Sequence, residues 1–568
     1  MYSGTTSFAG LAEYEIFLGA DNVLDKPIFV IDGFDPGDGR DIAAVYNLLS
    51  YDDNGTTLNL ADRIRADEDF DVVIVNLPQY FRLADNSLQS MANSTDVNAD
   101  GIIDEGDYSG STLIDGGADF IERNAMILAE IITLINTQKV GTEQNVVIGP
   151  SMGGLISRYA LNYMEANTLN HDTRLWISFD SPHRGANVPI GLQHLFNSLA
   201  YGVGIANQDS LRPIVDSLSK SAAARQMLTD HFEAHLGAGE VSDFDDSLLL
   251  PVAHPYHNTF YTKINALTTS GYPETTRNTA IINGNGIGTP YPHKNGTDVL
   301  PGEKILHVFI DGGFFGTDIT LDTWFSPLSG QISSPYIDEI FIDIPGPFNI
   351  YRDDNVQAEA YTDGIDAAMG GLFDLVALEA SMGTGNATIT AFFAGLNING
   401  FNFIPAVSAL ALNDTNLNWF ENINLGTLDT PWDNNPTATS TQTPFKNWFM
   451  PDDNENHVTL TTANVDFAWL EIVEPTVLAI DKNQLKNNSI VLVKNPTKNN
   501  ITLQSTLQTG IDLQISLYDL SGKKVYDILE KSKNYIHITT NGANGFYLLT
   551  IQDKNQNGLL NTKVQILN

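Results

Sequence analysis

The sequence predicts an α/β architecture with a mostly parallel sheet, followed by a separate all-β module. Before residue 475, continuous apolar runs such as Pro27-Ile28-Phe29-Val30-Ile31 alternate with stretches of helical period. Strands that are apolar throughout belong to parallel sheets covered on both faces. After residue 481, short β-rich runs alternate apolar with polar and are separated by Asn-Pro, Ser-Gly and Asn-Gly turns. That is the pattern of half-buried strands in a sandwich. The charge changes sign at the same place: residues 481–568 carry ten Lys, no Arg and six Asp or Glu, against 19 basic and 63 acidic groups elsewhere. Two separately built units are therefore expected, 1–474 and 481–568, with the cut near Glu474-Pro475 and Asp481-Lys482.

In the first unit, strands are expected at 27–31, 70–75, 145–148, 175–179 and 276–282, and helices at 120–135 and 155–164. From 190 to about 268 the pattern turns helical, as a cap over the sheet would. Residues 290–398 read as a β-rich insertion, with strands at 305–310 and 340–344. In the tail the strands fall at 489–493, 511–518, 535–538 and 545–551. No internal repeat of fixed period is visible.

Composition excludes several classes. With 568 residues, 42% hydrophobic and 17% charged, the chain is not disordered. A net charge of −40 repels nucleic acid and anionic lipid surfaces. The lack of cysteine excludes disulfides, thiolate catalysis and Cys-ligated metals. No apolar run reaches the ~18 residues of a membrane-spanning helix. The opening MYSGTTSFAG has neither a basic n-region nor an apolar h-region, so no signal peptide is expected there. A trimmed, exported chain would read the same way.

Chemistry enters with Gly149-Pro150-Ser151-Met152-Gly153-Gly154, which contains G-x-S-x-G. The motif follows a buried strand directly and leads into a helix, the strand–turn–helix setting of a nucleophile elbow. The turn forces Ser151 into a strained conformation, so its flanking residues must be small. Such a serine needs two N–H donors for the developing oxyanion. One is expected from Met152, and the other from Phe34 in the loop after the first buried strand, with Gly33 as its neighbour at risk.

With this motif the chain resembles the α/β-hydrolases of the lipase/esterase kind, closely over 25–190 and loosely over 400–475. Ser181-Pro182-His183-Arg184-Gly185-Ala186 is similar to a segment of bacterial lipases, although lipases usually carry His-Gly where this chain has Asp32-Gly33. His183 is read as structural, because it follows the wrong strand for the base. The resemblance implies a Ser-His-Asp triad whose base follows the last strand. His457, in Asn454-Glu455-Asn456-His457-Val458 before a helix-like run, fits that place. The family's acid often precedes a segment like Ile404-Pro405-Ala406, but Phe401 stands at the matching position. Asp180, at the end of the strand after the nucleophile helix, is the expected acid, with Asp298, Asp311 and Asp453 as alternatives.

A twelve-residue loop, 96–107, fits calcium. Asp96, Asn98, Asp100, Asp104 and Asp107 fall at positions 1, 3, 5, 9 and 12, Gly101 makes the turn, and Ile102 offers its carbonyl. The terminal Asp in place of Glu resembles dockerin-type loops. The expected role of the ion is structural, and no organic cofactor is expected.

In the tail, Lys494-Asn495-Pro496-Thr497, Tyr518-Asp519-Leu520-Ser521-Gly522-Lys523-Lys524-Val525 and Gly545-Phe546-Tyr547 occur in order. They resemble the C-terminal sorting domain of the type IX secretion system of Bacteroidetes-type bacteria. This implies export, with the secretion machinery as partner and a secreted or cell-surface location. The combined expectation is a secreted serine hydrolase acting on carboxylic esters or lipid-like substrates, with the helical segment from Ile190 to Thr268 as a lid, its run from Ile190 to Leu199 offering an apolar face, or equally as a plain cap over a small ester site. The alternatives are a peptidase, amidase or acyltransferase on the same triad, or a non-catalytic adhesion protein with a degenerate hydrolase core.

Overall fold

The computed structural model describes residues 9–202, 211–245, 247–285, 289–311, 318–327, 334–343, 349–358, 364–382, 387–413, 419, 443–473, 490–493, 497–498, 500–505, 510–519, 523–539, 544–553 and 558–567. Two compact units emerge: Met1–Leu425 with Thr439–Val473, and Gly426–Ala438 with Glu474–Asn568. The expected cut at 474–482 lies outside the described residues, as do 494–496 and 520–522 of the tail motifs.

The larger unit is built on a seven-stranded sheet. Its strands are β1 (Glu13–Phe17), β2 (Pro27–Ile31), β3 (Asp71–Asn76), β4 (Asn145–Pro150), β5 (Thr173–Phe179), β6 (Arg277–Ile281) and β7 (Asn447–Phe449). Their spatial order is β1-β3-β2-β4-β5-β6-β7. β1 runs antiparallel to β3, and every other neighbouring pair is parallel. Every residue of β2, β3 and β4 is buried, which is why their sequences are apolar without alternation. The α/β fold expected from the sequence is the one found.

Register positions the site. Phe179 of β5 stands opposite Pro150 of β4 and Ile281 of β6. The carboxyl ends of three central strands are therefore level, and the residues that follow them emerge side by side. Helix α1 (Ile121–Gln138) buries Ile121, Ala125, Leu128, Ile132 and Ile135, a stripe at helical spacing. Helix α2 (Met152–Ala166) packs against it and is buried over most of its length.

The cap begins with α3 (Ile190–Tyr201) and continues through short helices at Arg212–Leu218, Ala222–Met227 and Pro255–Ala266. It departs from an all-helical segment at Leu249–Leu250, which pairs in parallel with Asn349–Ala358. That pair joins the cap to the insertion's five-stranded sheet. The insertion also holds two helices, Leu375–Met382 and Ala387–Gly395. Sequence reading missed them because short apolar runs do not separate helix from strand. A two-stranded sheet of Gly370–Asp374 with Gly400–Pro405 follows.

The expected lid surface is corrected here. Leu192, Leu195 and Leu199 of α3 are buried in one core with Ile305, Leu321, Phe325 and Phe392 of the insertion. Their apolar stripe is interior, packed against the insertion.

In the smaller unit, Ile490–Leu492, Asn500–Ser505 and Tyr535–Thr539 form one sheet, and Thr497–Lys498, Asp512–Tyr518, Lys524–Lys531, Gly545–Asp553 and Gly558–Leu567 another. Leu513, Ile515 and Leu517 point alternately inward and meet Ile501, Leu503, Leu549 and Ile551 in a core of its own. Among the described residues no helix is long and apolar enough to cross a membrane.

This packing makes a prediction. Leu195 is fully buried, so Leu195→Ala should cost about 3 kcal/mol in denaturant unfolding of the larger unit. A loss below about 0.5 kcal/mol would mean that α3 is not held by this core.

Candidate active site

Ser151 sits on the bend between β4 and α2 with φ 54° and ψ −129°, a region that non-glycine residues avoid. Its neighbours are glycines for steric reasons. A Cβ on Gly153 would lie 2.6 Å from the Ile31 carbonyl, and one on Gly149 would lie 2.6 Å from the Gly153 carbonyl. The elbow is tied to the next strand, because the Ser151 N–H donates to the Phe179 carbonyl at 2.8 Å.

Asp180 follows Phe179 directly and is fully buried. Its own N–H donates to Ile281 at 2.7 Å, and its φ of 47° turns the chain out of the sheet. His457 arrives from 277 residues further on. Its Nδ1 lies 2.7 Å from Asp180 Oδ2, and its Nε2 lies 2.7 Å from Ser151 Oγ. The three residues form one continuous chain of hydrogen bonds, with the imidazole side chain 15% exposed at its open end. Val458, next to the imidazole, is also held at positive φ (58°).

The loop after β2, where the oxyanion donor Phe34 was expected, is stitched in place by Arg40. Its Nε donates to Asp32 Oδ1 at 3.0 Å, its Nη2 to the Phe34 carbonyl at 2.9 Å, and its backbone N–H to Asp35 Oδ2 at 2.8 Å. Burial pushes the Asp32 carboxyl up to about 6 despite the Arg40 ion pair. The Gly33 N–H is engaged by Asp32 Oδ1 at 2.8 Å, and the Asp35 N–H donates to the Gly117 carbonyl at 3.1 Å. Met152 opens α2, where a backbone N–H has no intrahelical acceptor. Gly33 packs on the nucleophile, since a Cβ there would lie 3.1 Å from Ser151 Cβ.

The other candidates lie elsewhere. Asp298, Asp311 and Asp453 are exposed. Phe401 is buried in the strand Gly400–Pro405, stacked on Phe373 at 5.2 Å. His183 is buried among Trp176, Tyr272 and Phe445, and its Nε2 lies 2.7 Å from Ser178 Oγ. Burial holds its pKa well below the usual range for histidine.

Four supports of the site were missed in sequence. Leu372 accepts the His457 N–H at 2.8 Å. Gly371 faces Asp180 so closely that a Cβ would collide with Oδ2. Phe403 sets its ring edge-on to the imidazole at 5.1 Å. Asn283 donates its N–H to Asp180 Oδ1 at 3.1 Å. The one available signal was position: Asn283-Gly284 follows β6, whose end is level with Ser151 and Asp180.

The loop 96–107 is curled around its own amides. Asp96 accepts N–H groups of Asp100 (3.2 Å) and Gly101 (2.8 Å), and Asp100 accepts Ile102 at 2.9 Å. Asp104 accepts Gly106 at 2.7 Å. The amides of Asn98, Asp104 and Val97 hold the Asp107 carboxyl below its ordinary range. The donor set is all oxygen and suits a hard cation. Among the described residues, however, no three His, Asp or Glu side chains converge as a metal-holding group.

Comparison with known proteins bears on the tail and the fold. Residues 495–566 match the family model of the secretion system C-terminal sorting domain. No curated protein matches the chain significantly. Among solved structures, it is similar to the lipase BlEst2 of Bacillus licheniformis. The mature form is 13% identical, with 50% of this chain and 74% of that chain covered and a TM-score of 0.24. The propeptide form is 9% identical, with 97% and 96% covered and a TM-score of 0.30. An esterase of Pyrobaculum calidifontis is 9% identical, with 48% and 66% covered and a TM-score of 0.19. These scores are too low to argue from, and the strand order and elbow above carry the fold assignment. The tail belongs to the secretion-system sorting domains, and the chain is a secreted or cell-surface protein whose larger unit has the α/β-hydrolase fold.

Proposed function

We propose that this protein is an exported serine hydrolase that cleaves carboxylic esters. One observation carries the reading: an unbroken Ser151–His457–Asp180 hydrogen-bond chain, 2.7 Å at each link, ends on a hydroxyl held in an elbow conformation. A serine hydroxyl is a weak nucleophile until a base takes its proton. Ser151 Oγ attacks the ester carbonyl while His457 Nε2 accepts that proton. Buried Asp180 holds Nδ1–H and stabilises the imidazolium. The N–H groups of Met152 and Phe34 receive the charge that develops on the carbonyl oxygen. His457 then gives its proton to the leaving alkoxide, which leaves an acyl-Ser151 ester. A water molecule, deprotonated by His457, cleaves that ester and releases the acid.

Fold and nucleophile do not fix the substrate, so peptidase and acyltransferase chemistry compete with ester hydrolysis on this same triad. A p-nitrophenyl ester series of rising chain length, set against amide substrates, separates them. The loop 96–107 enters the proposal as a structural Ca²⁺ site, with Asp96, Asn98, Asp100, Asp104, Asp107 and the Ile102 carbonyl as ligands. No catalytic step passes through the ion.

Fluorophosphonate should label Ser151 in the native chain and not in Ser151→Ala. Asp180→Asn should stay folded and lose about 10³-fold or more in kcat. Near-native turnover in Asp180→Asn would remove Asp180 as the acid.

Backbone strain gives a second prediction. Ser151→Gly and Ser151→Ala both lack the hydroxyl, but only glycine relaxes φ 54°. The Gly variant should be the more stable by about 1 kcal/mol in thermal unfolding. Equal stabilities would mean the bend is unstrained.

For calcium, titration calorimetry should register binding and Ca²⁺ should raise the melting temperature relative to chelator. No heat and no shift would withdraw the site.

A further inference from the structure

A second carboxyl lies behind the acid–base pair, and the mechanism above leaves it unused. Glu455 precedes His457 by two residues. Its Oε2 accepts the Nδ2–H of Asn283 at 2.8 Å, and the same amide donates to the Thr459 carbonyl at 2.9 Å. Asn283 therefore grips the loop on both sides of the imidazole. The main chain repeats the grip, with Glu455 N–H donating to Asn283 at 2.8 Å and Leu372 N–H donating to Glu455 at 2.9 Å. Through its own N–H, Asn283 also holds Asp180 Oδ1. One fully buried residue thus joins the carboxylate that orients the base to the loop that carries it.

We propose that Glu455, held by Asn283, is a positioning residue of the hydrolase proposed above: it fixes the His457 loop, and its ionised form stabilises the imidazolium of the transition state. The proposal rests on that hydrolase reading.

The charged groups around it are Asp180 from the end of β5, His457 on the same loop, and Asp374, which accepts a hydrogen bond from neighbouring Asn456 at 3.0 Å. Burial pushes the Glu455 carboxyl up to about 7, assisted by the Asp180 charge and opposed by the Asn283 hydrogen bond. The carboxyl is therefore mostly protonated below that pH and ionised above it. Once ionised, it adds negative charge to the loop that Asn283 grips on both sides of His457.

The experiment is a pH profile of kcat and KM for ester hydrolysis by the full chain. Glu455→Gln keeps an acceptor for Asn283 but cannot ionise. Its kcat should fall roughly fivefold at pH 9, with the deficit shrinking toward pH 6 and KM unchanged. Glu455→Asp, which is shorter but ionisable, should recover part of the alkaline rate. Asn283→Ala should lower kcat at every pH by roughly tenfold or more, and adding Glu455→Gln should then cost little further, because the two act as one unit. A Glu455→Gln profile that overlays the native one, or that falls equally at all pH values, overturns the proposal. If fluorophosphonate fails to label Ser151 in the native chain, the hydrolase reading fails first, and with it the role of Glu455.

Discussion

The site depends on one backbone constraint: the chain must reverse at Ser151 with φ at +54°. A left-handed serine is unfavourable by about 1–3 kcal/mol unless its surroundings over-determine it. Here the determination is steric and mutual. Helix α2 starts so close to β2 that Gly153 touches the Ile31 carbonyl, and the Ser151 N–H is bound to the end of β5. The same hydrogen bond brings Asp180, itself at φ 47°, beside the elbow. Strain at two residues is thus shared by two level strand ends. It is held there by a sheet whose core strands are buried at every position.

The third member comes from another part of the chain. His457 is held through its own backbone by Leu372, and its imidazole is flanked by Phe403. Both belong to the two-stranded sheet Gly370–Asp374 with Gly400–Pro405. That sheet reaches Asp180 because residue 371 has no side chain. Residues between the cap and the last strand therefore form the wall behind Asp180 and His457. The core shared by α3 and the insertion fixes that wall to the rest of the unit.

The parts legible in sequence are those encoded locally. Strands buried on both faces announce themselves as apolar runs, and the elbow as glycines around a serine between a strand and a helix. The places expected for Asp180 and His457 came from the resemblance to lipases and esterases, and the structure sets His457 within 2.7 Å of both Asp180 and Ser151. What was illegible depends on contacts over long separations. Asn283 lies 103 residues from Asp180 and 172 from Glu455. In sequence, Asn283-Gly284-Asn285-Gly286 reads only as a turn. Gly371 likewise looks like any glycine beside another until the carboxylate it admits is in view. The partner of the α3 stripe was illegible for a related reason. An apolar helical stripe states that it will be covered and leaves open by what, and here the insertion covers it.

The unequal charge of the two units bears on the chemistry. The chain outside 481–568 carries a net −44 while the tail carries +4, so the acidic field belongs to the unit that holds the elbow. Close to the site, buried Asp32 and Asp180 and half-buried Glu455 add carboxyl groups to that field. An ester approaches such a surface without a charge of its own, whereas the acid released from it ionises in water. For the hydrolase proposed above, a field of this sign leaves a neutral ester alone and repels the anionic acid released from it.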